Sequence, residues 1–151
     1  LELKGEKLEL TERGVRQSER LDTLLEHERT TEYTYASGTF DIGEQTIQPS
    51  EQITEKKQLV YAFVEAVYEG FIDEARSYLD AQLAASLAEA DLLEFFGNFA
   101  GWQEPPLALP LDDGQIMAGL LYPEHEGIMS ARLFVFAADE AQMKIINVHE
   151  L

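Results

Sequence analysis

Leu59, Val60, Phe63, Val64, Val67 and Tyr68 recur at intervals of three and four, which lays one apolar stripe along a helix over residues 54–69. Gly70 supplies the left-handed residue that ends such a helix without steric cost. Phe71 and Ile72 then lead to Asp73 as the expected cap of DEARSYLD, with Glu74 at the positive end of its dipole. Leu83, Leu87, Leu92, Leu93, Phe95, Phe96 and Phe99 predict a short helix and a longer one, the latter opening near Glu89 or Asp91 and fraying across residues 97–101. After the prolines of QEPPLALP the period changes to two in LALPL, QIMAGLLY, MSARLFVFAA and MKIINVHEL. DDG, PEHEG and ADEAQ fall between these runs as turns, Asp113-Gly114 being the strongest reversal. The expectation is three helices followed by an antiparallel meander of four strands.

The first fifty residues read differently. LELKGEKLEL alternates Leu1, Leu3, Leu8 and Leu10 around Lys4-Gly5-Glu6, as short strands with a tight reversal do. LTERGVRQSERLDTLLEHE places Val15, Ser18, Leu21, Leu24 and Leu25 at helical spacing, with Thr11 or Ser18 as caps. TTEYTYASGTFDIGEQTIQ is rich in β-formers around Ser37-Gly38, the mark of a hairpin. Pro49 and Ser50 close this part, so the chain divides into a small extension at residues 1–50, expected to dock on the rest, and a main domain at 51–151.

Charge sharpens that division. Residues 1–57 hold 8 basic and 13 acidic side chains, and residues 58–151 hold 3 and 16. A net charge of −18 repels phosphate backbones and anionic membranes, which sets nucleic acid aside as a partner. No run of about 18 apolar residues exists, so no membrane insertion is expected. Cysteine is absent, which removes disulfides, thiolate nucleophiles and thiolate-bound metals. A start at Leu1 rather than Met reads as a domain taken from a longer protein.

The run LVYAFVEAVYEGFIDEARSYLD, a further helix around DLLEFFGNF and the closing strand MKIINVHEL together resemble the nuclear-transport-factor-two-like superfamily over residues 54–151. The resemblance implies an α+β fold, three helices at the start of the domain packed on a curved antiparallel sheet in the shape of a cone, with residues 1–50 as a small mixed α/β extension. It also implies a central pocket, which relatives similar to ketosteroid isomerase or scytalone dehydratase use for catalysis and others use for binding. Many bacterial domains of the superfamily open in this way, several of them extracytoplasmic, so the resemblance implies the cell envelope or secretion.

An isomerase-like site needs a carboxylate base in an apolar pocket and a donor facing the developing oxyanion. Tyr61, Glu65 and Tyr68 lie at i, i+4 and i+7 on the first helix, so one face can present two phenols and a carboxylate. Glu65 pointing into solvent would remove that site. Trp102, the single tryptophan, sits at a helix-to-sheet corner and could stack on a ligand; plugging the wide end of the core is the commoner use of such a ring. Arg132, within SARLFVFAA, could pair with a buried acid or an anionic ligand, against the plainer reading of a surface ion pair.

Other polar groups carry less. Asp112-Asp113 is turn composition. PEHEG puts Glu124 and Glu126 on one side of an extended chain and His125 on the other, a poor geometry for one metal. His27 and His149 have no partner at metal-motif spacing. LTERGVRQSERL resembles a helix start of histidine phosphatases, but their Arg-His-Gly nucleophile motif is missing.

The residues therefore point to a non-catalytic module that binds a protein or a small molecule, with no cofactor and no metal. Tyr61, Glu65, Tyr68, Trp102 and Arg132 are the candidate contacts. A small pocket enzyme of isomerase, dehydratase or hydrolase type is the alternative. Leu133 and Val135 alternate with Phe134 and Phe136, which leaves apolar side chains on both faces of one strand. A homodimer through the sheet face, or the first fifty residues, is expected to cover the outer one.

Overall fold

A computed structural model describes the chain except residues 1, 4–5, 22–26, 50 and 106–109, and divides it into two compact units, Leu1–Gln52 and Ile53–Leu151. Among the described residues, helices appear only in the second unit.

The first unit is an antiparallel sheet in chain order, β1 (Glu2–Leu3), β2 (Glu6–Thr11), β3 (Gly14–Arg20), β4 (Glu28–Ala36) and β5 (Thr39–Gln48). The expected helix in LTERGVRQSERLDTLLEHE is therefore corrected: residues 14–20 form a central strand, and Leu24 and Leu25 lie outside the described residues. Ser18 was a weak member of the helical stripe, and it faces Lys7 and Thr30 across two ladders. A strand here satisfies its backbone on both edges, and that long-range gain overrides local helix propensity. Gly14 permits the pairing, because a Cβ there would fall 1.9 Å from the Tyr33 carbonyl oxygen. Ser37 and Gly38, at φ 53° and 86°, make the two-residue turn between β4 and β5 that their sequence predicts. The Lys4-Gly5 reversal lies outside the described residues.

Register sorts the faces of this sheet. Leu10, Val15, Tyr33 and Ile42 form one cross-strand row, followed on the same face by Tyr35 and Phe40. Arg16 and Glu32 pair on the opposite face, with Arg16 Nη2 donating to Glu32 Oε1 at 2.7 Å. A bulge sets Gly43 and Glu44 of β5 against Glu32 alone.

In the second unit α1 (Lys56–Tyr68), α2 (Ile72–Ser77), α3 (Ala81–Ser86) and α4 (Glu89–Phe96) precede a sheet ordered β6 (Gly101–Gln103), β7 (Gln115–Pro123), β8 (Met129–Asp139) and β9 (Lys144–Glu150). The expected fold class is thus overturned. Among the described residues a sheet comes before all the helices, four short helices stand where three were expected, and the extension contains no helix. Of LALPL, residues 107–109 lie outside the described residues, and the first described strand of the second sheet, β6, falls earlier, on Gly101–Gln103.

Helix α1 starts where the Gln58 side chain accepts from the Glu55 and Thr54 amides, at 3.1 and 3.0 Å. It stops at Gly70, where Phe71 N donates to Ala66 O and Gly70 N to Val67 O, the paired bonds of a glycine-terminated helix. Phe71, not Asp73, holds the cap position of α2; Asp73 and Glu74 lie in its first turn. Asp80 caps α3 by accepting from Leu83 N at 2.7 Å. The link from α2 to α3 is tied to β9, with Ile145 N donating to Tyr78 O and Asp80 N to Ile145 O.

The core of this unit is aromatic. Phe63 of α1 meets Phe96 of α4 and Phe136 of β8 at 5.6 and 5.9 Å between ring centroids, and Phe96 meets Phe134 at 5.2 Å. Most of these contacts are edge-on or tilted, the favoured geometry for ring quadrupoles. Phe134 and Phe136 are buried on one face of β8, and Val135 on the other. On that other face Val135 is buried within the single chain, and Leu133 is half-buried.

Candidate functional site

The five candidate residues do not converge on one point. Helix α1 is buried on all sides from Leu59 to Val67, and this carries both Tyr61 and Glu65 inside. Glu65 is 1% exposed, which meets the condition set for a pocket base. The Glu65 charge acts on Tyr78, a residue that the pattern of the sequence did not single out.

Tyr78 donates to Glu74 Oε1 at 2.7 Å. Burial first, then this hydrogen bond and the charges of Glu74 and Glu65, push its phenol pKa well up. The signal for Tyr78 was weak, because the i, i+4 pairing with Glu74 in EARSY looks like any helix-surface contact.

Tyr61 turns toward a different group. Burial, then the charge of Glu104 and a hydrogen bond with it, raise the Tyr61 phenol to about 12. Lys57 also pairs with Glu104 and sits 5.8 Å from the Tyr61 ring centroid. Tyr61 is thus held in a phenol, carboxylate and ammonium cluster at the start of α1.

Tyr68 and Trp102 do come together. Tyr68 is 43% exposed at the last turn of α1, and its ring lies 5.2 Å from Trp102 and 5.7 Å from Phe99. Phe99 in turn meets Tyr122 of β7 at 6.3 Å. Tyr122 donates its hydroxyl to the Phe96 carbonyl and stacks under the Arg132 guanidinium, 4.8 Å away. Trp102, Tyr68, Phe99, Tyr122 and Arg132 thereby form one connected ridge. The Trp102 indole N–H is buried and has no hydrogen-bond partner among the described residues.

Arg132 binds its own acid. Nε donates to Glu150 Oε1 at 2.6 Å and Nη2 to Oε2, a two-point pair on the surface of the sheet. The hydrogen bond and charge of Arg132 hold the Glu150 carboxyl below the ordinary carboxylate value. Sequence reasoning missed Phe99 and Tyr122, although the alternation in QIMAGLLY puts Tyr122 on the same face as Leu120, in the row that pairs with Trp102 and Arg132.

The remaining polar candidates stay apart from this ridge. Asp112 and Asp113 enter the turn before β7, and residues 125–127 form one exposed 3-10 turn between β7 and β8. Among the described residues no group of three or more His, Asp or Glu side chains is arranged to hold a metal ion. No described helix is long and apolar enough to cross a membrane. In comparisons with family models, curated proteins and solved structures, nothing matches the chain.

Proposed function

We propose that the chain is a non-catalytic binding module whose contact surface is the ridge from Trp102 to Arg132, and that a protein partner suits it better than a small molecule. The exposed Tyr68 ring beside Trp102 carries this reading. Aromatic side chains with one wet edge contribute large contact area at low entropic cost, and tyrosine, tryptophan and arginine dominate interface energetics. The space between α1, α4 and the sheet is occupied by Phe63, Phe96, Phe134 and Phe136, which disfavours a ligand bound in the interior. Kinship of residues 54–151 with the nuclear-transport-factor-two-like superfamily belongs to the same proposal. It rests on a buried helix packed against an antiparallel sheet, an arrangement that relatives use for partner binding as well as for chemistry.

A second reading is favoured by one observation, the burial of Glu65. A buried carboxylate whose charge is felt at a buried phenol, Tyr78, is an environment that acid-base chemistry can use. The two readings separate in one experiment. With a photo-crosslinking phenylalanine analogue in place of Tyr68 in the full chain, a discrete protein adduct should form in the host cell and weaken in Arg132→Ala. No adduct at Tyr68, together with loss of cellular function in a folded Glu65→Gln protein, would overturn the binding reading in favour of the enzyme.

A further inference from the structure

Strand β5 is the last strand of the first sheet, so alternate N–H and C=O groups along Thr39–Gln48 point away from β4, with no strand beyond them among the described residues. Nine of its ten residues are exposed. Natural edge strands are blunted by lysine, by proline or by brevity. TFDIGEQTIQ has neither residue and runs for ten positions; what guards it is the bulge at Gly43-Glu44 and the acidic Asp41 and Glu44, which repel acidic segments and not basic ones.

The two faces of that edge differ chemically. On one side Phe40 and Ile42 are 57% and 67% exposed, and they continue into Tyr35 on β4 and Leu10 on β2, at 57% and 91%. Phe40 and Tyr35 touch, with ring centroids 5.0 Å apart. On the other side lie Asp41 and Glu44, which have no ion pair among the described residues, and β5 contains no basic residue.

We infer that the open edge of β5 accepts an extended segment of a partner protein, added as a further strand, in which apolar and basic side chains alternate. The backbone ladder supplies affinity in such strand addition, and the alternating side chains supply register. Apolar side chains of the segment would fall beside Tyr35, Phe40 and Ile42. Its lysines or arginines would fall beside Asp41 and Glu44. Charge decides between this occupant and a second copy of the chain: two copies paired through β5 bring Asp41 and Glu44 of each near those of the other, on molecules that each carry −18. The inference rests on the first unit alone and does not depend on the Tyr68 ridge.

The test uses the full chain and two blocked eight-residue peptides of equal charge, one alternating lysine with valine and the other lysine with proline. Proline cannot donate to a ladder, so calorimetry at physiological ionic strength should show the valine peptide binding at least about tenfold tighter. Amide exchange should slow at residues 40–44 on binding, and the double variant Asp41→Lys/Glu44→Lys should weaken binding by roughly tenfold while keeping its strand circular dichroism. Equal binding of the two peptides, protection elsewhere in the chain, or an unaffected double variant would overturn the inference. So would a dimer in sedimentation that Ile42→Asp disperses, since a second copy would then own the edge. An intact crosslink at the Tyr68 position in the double variant would show that the ridge is a separate matter.

Discussion

Nine successive residues of α1, from Leu59 to Val67, are buried in the second unit, whereas in the first unit only His27, Thr31 and Ile47 among the described residues fall to that level. Both units are built on antiparallel sheets of similar size. The difference lies in what covers them. A helix pressed on a sheet gives each inward side chain a partner layer, so Phe63, Phe134 and Phe136 close into a core with few gaps. A single sheet can hide its apolar face only where something lies over it, and among the described residues nothing covers Leu10 and Ile42 at the ends of that row. The first unit is held instead by its ladders and by polar pairs such as Tyr33 with Gln17 at 3.1 Å and Arg29 with Glu19 at 2.6 Å. Its exposed apolar residues are therefore available for recognition, and those of α1 are committed to stability.

Phe63→Ala should break the contrast most severely. It removes a ring that meets both Phe96 and Phe136, and a cost of about 3–5 kcal/mol is expected for a buried phenylalanine. Denaturant titration followed by circular dichroism should show the midpoint falling sharply, and an unchanged midpoint would mean that the rings do not form one core.

A smaller effect is expected from Tyr61→Phe, and its signature is a changed pH dependence in alkali. The folded chain holds the Tyr61 proton up to about 12, against an ordinary value of 10, so it binds that proton more tightly than the unfolded chain does. The associated stability is fully present below pH 10 and is lost as pH rises toward 12. Melting temperatures between those limits should decline less steeply in Tyr61→Phe than in the parent; parallel declines would place the phenol outside the buried cluster.

The smallest effect belongs to Ile42→Ser. A surface side chain at 67% exposure contributes within about 0.5 kcal/mol, so the unfolding midpoint should scarcely move. A large loss would show that the apolar row of the first sheet is covered after all.

Helix α1 was legible because two local signals agreed on it: a stripe at three and four, and a glycine whose positive φ the chain needs at that point. The Ser37-Gly38 hairpin was legible for the same reason, its two residues both adopting positive φ. Strand β3 was not. Val15, Gln17 and Glu19 share a face, but only one is apolar, and the strand is specified by ladders to residues far along the chain. Of the candidate site, the spacing of Tyr61, Glu65 and Tyr68 placed all three on α1 but could not say which neighbours they would meet. Tyr61 found Glu104, Glu65 came within the field of Tyr78, and Tyr68 found Trp102. Helical spacing assumes a helix with one wet side, and α1 has almost none along Leu59–Val67.

Trp102 is the single indole in 151 residues, and it sits on the ridge of the second unit, against Tyr68. Selective excitation of tryptophan therefore illuminates one unit and leaves the other dark. Emission should track the environment of the ridge, while far-ultraviolet dichroism sums the strands of both sheets. Where the two signals part company on heating, the units melt separately; where they coincide, the thin sheet and the packed core unfold as a single cooperative body.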